Sequence, residues 1–262
     1  MSFATTCCVC GLGRFKTKKC VHELNGPFQN SILEVRIQKV RKEKMAVLVL
    51  AGTIGAGKSS LTEMLAEELG TEAFYESVDD NEVLPLFYQD PQKYAFLLQI
   101  YFLNKRFDSI KRALTHNNNV LDRSIYEDSL LFHLNADLGR ATDIEVEVYD
   151  ALLENMLEEI NTLTFKKRPD LLIHVSVSFE KMLERIQKRG REFEQLEYDS
   201  SLYGYYQELN KRYEKWFEDF DICPKIQIDG DKYDFVEDEE AKLFVLEQIK
   251  DKLAEIEEEN SK

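Results

Sequence analysis

Residues Gly52 to Ser59 read Gly-Thr-Ile-Gly-Ala-Gly-Lys-Ser, a complete GxxxxGKS pattern. Its flanks fix what the chain around it can become. Ala46-Val47-Leu48-Val49-Leu50 is a continuous apolar run of buried-strand type. Ser59 to Leu69 has the spacing of an amphipathic helix, closed by Gly70. A strand, a glycine-rich turn and a helix in that order make a phosphate cradle. The glycines let successive N–H groups turn inward, and the helix N-terminus adds about half a positive charge. Gly52, Thr53, Ile54, Gly55, Ala56, Gly57, Lys58, Ser59 and Ser60 are therefore expected to hold a nucleoside triphosphate. In such a loop Lys58 reaches the transferring phosphoryl group and the Ser59 hydroxyl ligates Mg2+.

The formal net charge of −15 argues against nucleic acid or an anionic membrane as partner, because polyanions need a cationic footprint. No apolar run approaches the roughly 20 residues of a membrane span, and no signal peptide is visible, so a cytoplasmic enzyme is expected. Charge is unevenly spread. Up to Lys44 there are nine Lys or Arg against three Asp or Glu, and four of the five cysteines lie there as well. Residues 1–44 are expected to be a poorly ordered extension, with Met45 as an alternative start. A zinc or redox module built on Cys7, Cys10, Cys20 and His22 and a basic docking arm are the competing readings. Residues 45–262 form the regular domain. Cys223, beside Pro224, reads as a packed small residue.

The body alternates strands and helices. Ala73-Phe74-Tyr75 is a second strand running into Glu76 and a polar loop. A long, largely buried helix is expected from Pro91 to about Arg112, then a strand at Val120-Leu121 entering Asp122-Arg123-Ser124. Helices follow over about Tyr126–Leu138 and Thr142–Leu163, then a strand over Leu171–Val177 and a basic helix over Phe179–Arg189. An aromatic-rich helix (about Leu202 to Phe220), a strand (Lys225–Asp229) and a charged helix (about Val236 to Ile256) complete the chain. The pattern predicts an α/β fold of the P-loop kinase type: a five-stranded parallel sheet, helices on both faces and a short arginine-rich lid. Ligands of such sheets sit beyond the carboxyl ends of the strands, where the loop, Glu76 and Asp122 would converge.

Among phosphate chemistries, a GTPase should carry an Asn-Lys-x-Asp guanine reader, which neither Asn104-Lys105 nor Asn210-Lys211 completes. The apolar strand ending in paired acids that motor ATPases use is missing. A small-molecule kinase needs an acceptor pocket, a base for the attacking hydroxyl and a cationic lid, and all three can be located.

Six segments carry a specific resemblance: GTIGAGKSS, YESVDDN, FYQDPQKYAFLLQIYFLNKR, LDRSIYED, RIQKRGREFEQ and IDGDKYDFV. In order and spacing they resemble the deoxyribonucleoside kinases, particularly the bacterial deoxyadenosine/deoxyguanosine branch, from Met45 to about Ile256. Ser77 departs from the family, where proline often follows the acidic residue. The resemblance implies that ATP phosphorylates the 5'-hydroxyl of deoxyadenosine, deoxyguanosine or deoxycytidine in nucleotide salvage. Glu76 would be the general base, Arg123 would position it with the acceptor, and Asp122 would support Mg2+ beside Ser59. Tyr88 and Glu194 match positions that hold the sugar 3'-hydroxyl. Gln99 matches the amide that pairs with the base, its donor and acceptor suiting adenine or cytosine. Arg106 and Asp128 match the charged pair on the base side. Arg185, Arg189 and Arg191 match the lid arginines that clamp phosphate oxygens. Phe96, Tyr101 and Phe132 could stack on the base or fill the core. Feedback inhibition by an end-product triphosphate is implied too. So is a homodimer, or a heterodimer with a paralogue, through the helices beginning at Pro91 and Thr142. A thymidylate-type nucleoside monophosphate kinase would need cations where the acidic Glu76–Asp80 segment stands. A catalytically silent nucleotide-binding subunit is a rival of another class.

Overall fold

A computed structural model describes residues 46–75, 81–113, 119–163 and 168–261. Glu76, Ser77 and the whole of the 1–44 extension, including its cysteines, lie outside the described residues. Strands β1 (Val47–Ala51), β2 (Glu72–Phe74), β3 (Asn119–Leu121), β4 (Leu171–Ser176) and β5 (Lys225–Asp229) form one sheet in the order β2-β3-β1-β4-β5. Every neighbouring pair is parallel.

The apolar run before the glycine loop becomes the central strand because both of its faces are covered. Strand alternation sends Leu48 and Leu50 to one side, where they pack with Leu61 and Leu65 of α1 (Lys58–Leu69), Met182 and Ile186 of α6 (Phe179–Arg189), and Val245 and Ile249 of α8 (Glu239–Asn260). Val47 and Val49 face the other side with Leu121, Leu172, Phe220 and Cys223. Cys223 is thus the packed small residue its sequence context suggested.

The remaining helices are α2 (Val83–Gln89), α3 (Pro91–Ala113), α4 (Asp128–Asp137), α5 (Asp143–Leu163) and α7 (Leu202–Asp219). α2 was not among the expected helices. Its proline, Pro85, sits in the first turn, where no intrahelical N–H bond is lost, and the Asn81 side chain accepts from the Val83 and Leu84 N–H groups at 2.9 and 3.1 Å. β2 lies one residue earlier than expected, and a short 3-10 turn at Ile125–Glu127 precedes α4. α8 begins only at Glu239, where Asp238 caps it by accepting from the Glu240 N–H.

α3 buries more than one of its faces. Leu103 packs with Phe132, Tyr149 and Leu153 on one side, while Ala95, Leu98 and Phe102 pack against Leu84 and Phe87 of α2 on another. Gln99 and Arg106, two turns apart on this helix, are buried polar residues and face the carboxyl ends of the strands.

His174, on β4 opposite Ala51 of β1, is 2% exposed and stacks against Phe217 at 4.7 Å and Tyr213 at 6.2 Å. Burial, and secondarily the charge of Lys58, lower its pKa from 6.5 to about 4. The ring is neutral in the folded protein. Between pH about 6.5 and about 4 the unfolded chain takes up a proton that the folded chain refuses, so stability falls as pH drops through that window and is insensitive to this group above it. The full effect is about 3 kcal/mol. His174→Phe should remove it: urea unfolding at about pH 7 and about pH 4 should show the wild type losing about 3 kcal/mol more than the variant.

Candidate active site

The phosphate loop is shaped by close approach as much as by its motif. Gly52 has φ 145°, and a Cβ placed there would lie 2.6 Å from the Val175 carbonyl oxygen. At Gly57 (φ 100°) a Cβ would meet the Phe235 ring at 3.1 Å. Only glycine satisfies both the positive φ and the lack of room. Lys58, buried at the first turn of α1, donates to the carbonyls of Gly52 (2.8 Å) and Thr53 (2.9 Å). Its ammonium is thereby tethered over the hollow of the loop.

Ser59 donates to Asp122 Oδ2 at 2.5 Å. Asp122 directly follows β3 and its N–H bonds the Phe74 carbonyl at 2.8 Å, so the ends of β2 and β3 are joined beside the loop. Tyr75, the last described residue of that β2 end, lines the same cleft; Glu76 comes next in the chain and lies outside the described residues. Arg123 is half-buried, donates to the Tyr213 hydroxyl at 2.9 Å and pairs with Glu127 at 3.1 Å. Glu127 is fully buried, and its second oxygen accepts the Gly52 N–H at 3.3 Å.

These groups open on one cleft of about 720 Å3. It is lined by the loop, Asp122 and Arg123, by Gln99 and Arg106 of α3, by Tyr88 of α2 and by Glu194. Gln99 is 4% exposed, and its Oε1 has no hydrogen-bond partner among the described residues. A buried amide oxygen left this way costs about 1–3 kcal/mol unless a ligand or water satisfies it. Arg106 forms an ion pair with Asp128, both side chains being buried; Asp128 stands behind the arginine and does not line the cleft. The Tyr88 hydroxyl hydrogen-bonds that of Tyr206, which donates to the Glu194 carbonyl at 3.0 Å. Burial, before the neighbouring Tyr206 and Glu194, raises the Tyr88 pKa well above the usual phenol value. It remains a neutral donor.

The expected stacking residues divide differently. Phe132 is wholly core, packed on Tyr149 and Phe96. Tyr101 is not part of the cleft wall either. Phe87, Phe102 and Tyr205 are its aromatic wall instead. Helical spacing identifies the apolar positions of α3 but not which of its several buried faces meets a ligand.

All three lid arginines reach the cleft. Arg185 is fixed, donating to the Ala56 carbonyl of the loop and the Gly230 carbonyl after β5, both at 2.8 Å. Arg189 is bonded to the Glu194 carboxylate, with Arg191 3.7 Å away from its other oxygen. Among the contributors without a role from sequence reasoning are Glu127, within LDRSIYED, and two residues that line the cleft, Asp234 and Val236, at the end of IDGDKYDFV. The motifs contained them, but nothing in their spacing marked a function.

Ser59 and Asp122 are hard oxygen donors side by side, a set that suits Mg2+ held otherwise by phosphates and water. Among the described residues no cluster of three or more His, Cys, Asp or Glu could hold a metal ion.

A phosphate loop facing a polar-floored cleft under arginines points to a phosphotransferase for a small acceptor. Residues 48–254 match the family model of deoxynucleoside kinases, and the chain belongs to that family. It is 61% identical over 212 residues to a deoxyguanosine kinase of Lactobacillus acidophilus, covering 81% of this chain and 92% of that enzyme. To the deoxyadenosine kinase of the same organism it is 54% identical over 210 residues, 80% of this chain and 97% of the relative. Among solved structures, deoxyadenosine kinase from M. mycoides with bound dATP is similar with TM-score 0.65 and 27% identity, over 78% of this chain and 99% of that one. The chain is a deoxynucleoside kinase.

Gly52→Ala should lower the unfolding free energy by more than about 2 kcal/mol, since a backbone oxygen cannot yield. Gly204, in α7, has open space where a Cβ would go, and Gly204→Ala should be neutral or stabilising by up to about 1 kcal/mol. Urea denaturation of the two variants checks the contrast.

Proposed function

We propose that this kinase transfers the γ-phosphoryl group of ATP to the 5'-hydroxyl of deoxyadenosine, deoxyguanosine or deoxycytidine, purines first, in nucleotide salvage. The observation that carries the acceptor reading is the buried Gln99 amide, whose oxygen lacks a partner beside the Arg106–Asp128 pair. An amide oxygen there accepts from an exocyclic base amine, while its N–H2 meets a ring nitrogen. The purine preference is supported by the deoxyguanosine and deoxyadenosine kinases among the relatives.

The sugar lies toward Tyr88 and Glu194, which meet in one hydrogen-bonded network and take the 3'-hydroxyl. Its 5'-hydroxyl points back to the loop. Glu76 then orients that alcohol and takes its proton, a role supported by the position of β2's carboxyl end beside Asp122. Arg123 holds the base and the acceptor oxygen. Lys58 and the lid arginines Arg185, Arg189 and Arg191 balance the charge that spreads over the equatorial oxygens as the phosphoryl group moves. Mg2+, bound by Ser59 and Asp122, supplies further charge neutralisation on the phosphates.

The catalytic domain is taken to begin at Met45, consistent with a family match starting at residue 48. A homodimer through α3 and α5 is supported by the exposed apolar residues Leu97, Ile144 and Val148 on those helices. The cytoplasm is the proposed location. Among the described residues no helix is long and apolar enough to cross a membrane.

A panel of deoxynucleosides with ATP tests the assignment: purine deoxynucleosides should be the best acceptors, and nucleotide binding without transfer to any of them would point to a silent subunit. Lys58→Ala and Glu76→Ala should each lower kcat about 10^3-fold with an unchanged circular dichroism spectrum. Near-normal turnover in either removes that residue from its role. The relative with bound dATP supports inhibition of this enzyme by deoxynucleoside triphosphates. That inhibition should be competitive toward both substrates, because base and phosphates would occupy both halves of the cleft.

A further inference from the structure

Glu127 stands out among the charged side chains of the molecule. It is 0% exposed, lies on the 3-10 turn after β3, and has no assigned part in binding either substrate. A carboxylate is not tolerated in such a place without compensation, since desolvation alone would protonate or expel it. Its two oxygens are used differently. Oε1 lies 3.1 Å from Arg123 Nη1, and Oε2 accepts the N–H of Gly52, the first glycine of the phosphate loop, at 3.3 Å.

Residue Gly52 is thus held on both sides of its Cα, its N–H by Glu127 and its carbonyl by Lys58 Nζ at 2.8 Å. One carboxylate bridges the arginine proposed to face the acceptor and the loop that holds the donor. Two elements from different strands, β1 and β3, must keep a fixed distance for in-line transfer, and displacement of about 1 Å is enough to cost about 10^2-fold in rate. Sheet hydrogen bonds register Val49 with Leu121, but beyond the strand ends the backbone ladder no longer sets that distance. Glu127 spans the gap at that point.

We propose that Glu127 is a positioning residue that locks the phosphate loop and Arg123 into one rigid unit, so that donor and acceptor are aligned before either binds. This rests on the reading of Arg123 as an acceptor-side group. Glu127 does not touch substrate; it acts through Arg123 and Gly52. Glu127→Gln keeps an oxygen that can accept from Gly52 but removes the charge that aims the guanidinium. Glu127→Asp keeps the charge but shortens the reach by one methylene, so it cannot serve both partners.

Steady-state kinetics of Glu127→Gln, Glu127→Asp, Arg123→Lys and the Glu127→Gln/Arg123→Lys double variant, with thermal unfolding of each, test the proposal. Expected are a kcat at least about tenfold lower in each Glu127 variant, KM for ATP within about threefold of wild type, and a double variant hardly slower than Arg123→Lys alone. Folded Glu127 variants with wild-type kcat overturn the proposal, as does a double variant whose loss is the product of the two single losses. If Glu127→Gln does not fold, the Asp variant decides by the same kcat criterion. Should Arg123→Lys itself keep full turnover, the reading of Arg123 falls instead. A purely structural Glu127 would lower the unfolding temperature and leave kcat of the folded fraction untouched, which also overturns it.

Discussion

The backbone of Gly52 is the point on which the rest of the site depends. It directly follows the central strand, begins the phosphate loop, and has a φ that only glycine adopts readily. Its amide hydrogen meets a buried carboxylate and its carbonyl a buried ammonium. Each ion is stabilised by a separate peptide dipole, the Ala51–Gly52 unit for Glu127 and the Gly52–Thr53 unit for Lys58, so residue Gly52 links the two charged side chains. Opposite charges in a poorly screened interior hold firmly when hydrogen-bonded and are costly when parted. The loop therefore has its shape before any nucleotide arrives, and preorganised donors of this kind need no rearrangement as charge develops.

A second constraint is electrostatic. The chain carries −15 overall, yet its cleft gathers Lys58, Arg106, Arg123, Arg185, Arg189 and Arg191. Most are already bound to protein oxygens: carbonyls for Lys58 and Arg185, carboxylates for Arg106, Arg123 and Arg189. Those tethers keep guanidinium groups at fixed positions while leaving further N–H donors on each planar fork. An acidic surface with a local basic cleft suits a small polyanion and rejects a long one, which would have to cross the acidic surroundings.

Much of this architecture was legible from the sequence, for reasons tied to particular residues. Five apolar runs of strand length, each followed by helical periodicity, fixed a parallel α/β sheet, and the glycine loop fixed which strand is central to function. β5 and the helix Phe179–Arg189 lie where the pattern placed them. α2 was hidden because a seven-residue helix containing Pro85 shows too few turns for a period, and its cap comes from Asn81 in what reads as loop. The aromatic wall was left open between stacking and core because α3 buries several faces, so Phe96 and Phe102 look alike in sequence although one joins the core and the other the cleft. Glu127 was missed for a sharper reason. Its meaning depends on Gly52, 75 positions away, and only the pairing of β1 with β3 brings the two together.

The lid shows how the same residues can serve binding and rest. Glu194 bonds Arg189 through its carboxylate, with Arg191 near, while its backbone carbonyl takes the Tyr206 hydroxyl that Tyr88 also engages. The wall proposed for the sugar and the cations proposed for the phosphates therefore share one residue. Anything that shifts Glu194 toward a sugar hydroxyl moves the charge that restrains Arg189. A phosphate chain competing for Arg189 must in turn loosen its hold on Glu194. Because the carboxylate is nearly fully buried, its pairing cannot be exchanged for water at little cost, so under the proposed roles binding in one half of the cleft would be felt in the other. Coupling of this kind needs no domain movement, only a guanidinium fork that divides its donors between one protein carboxylate and one ligand oxygen.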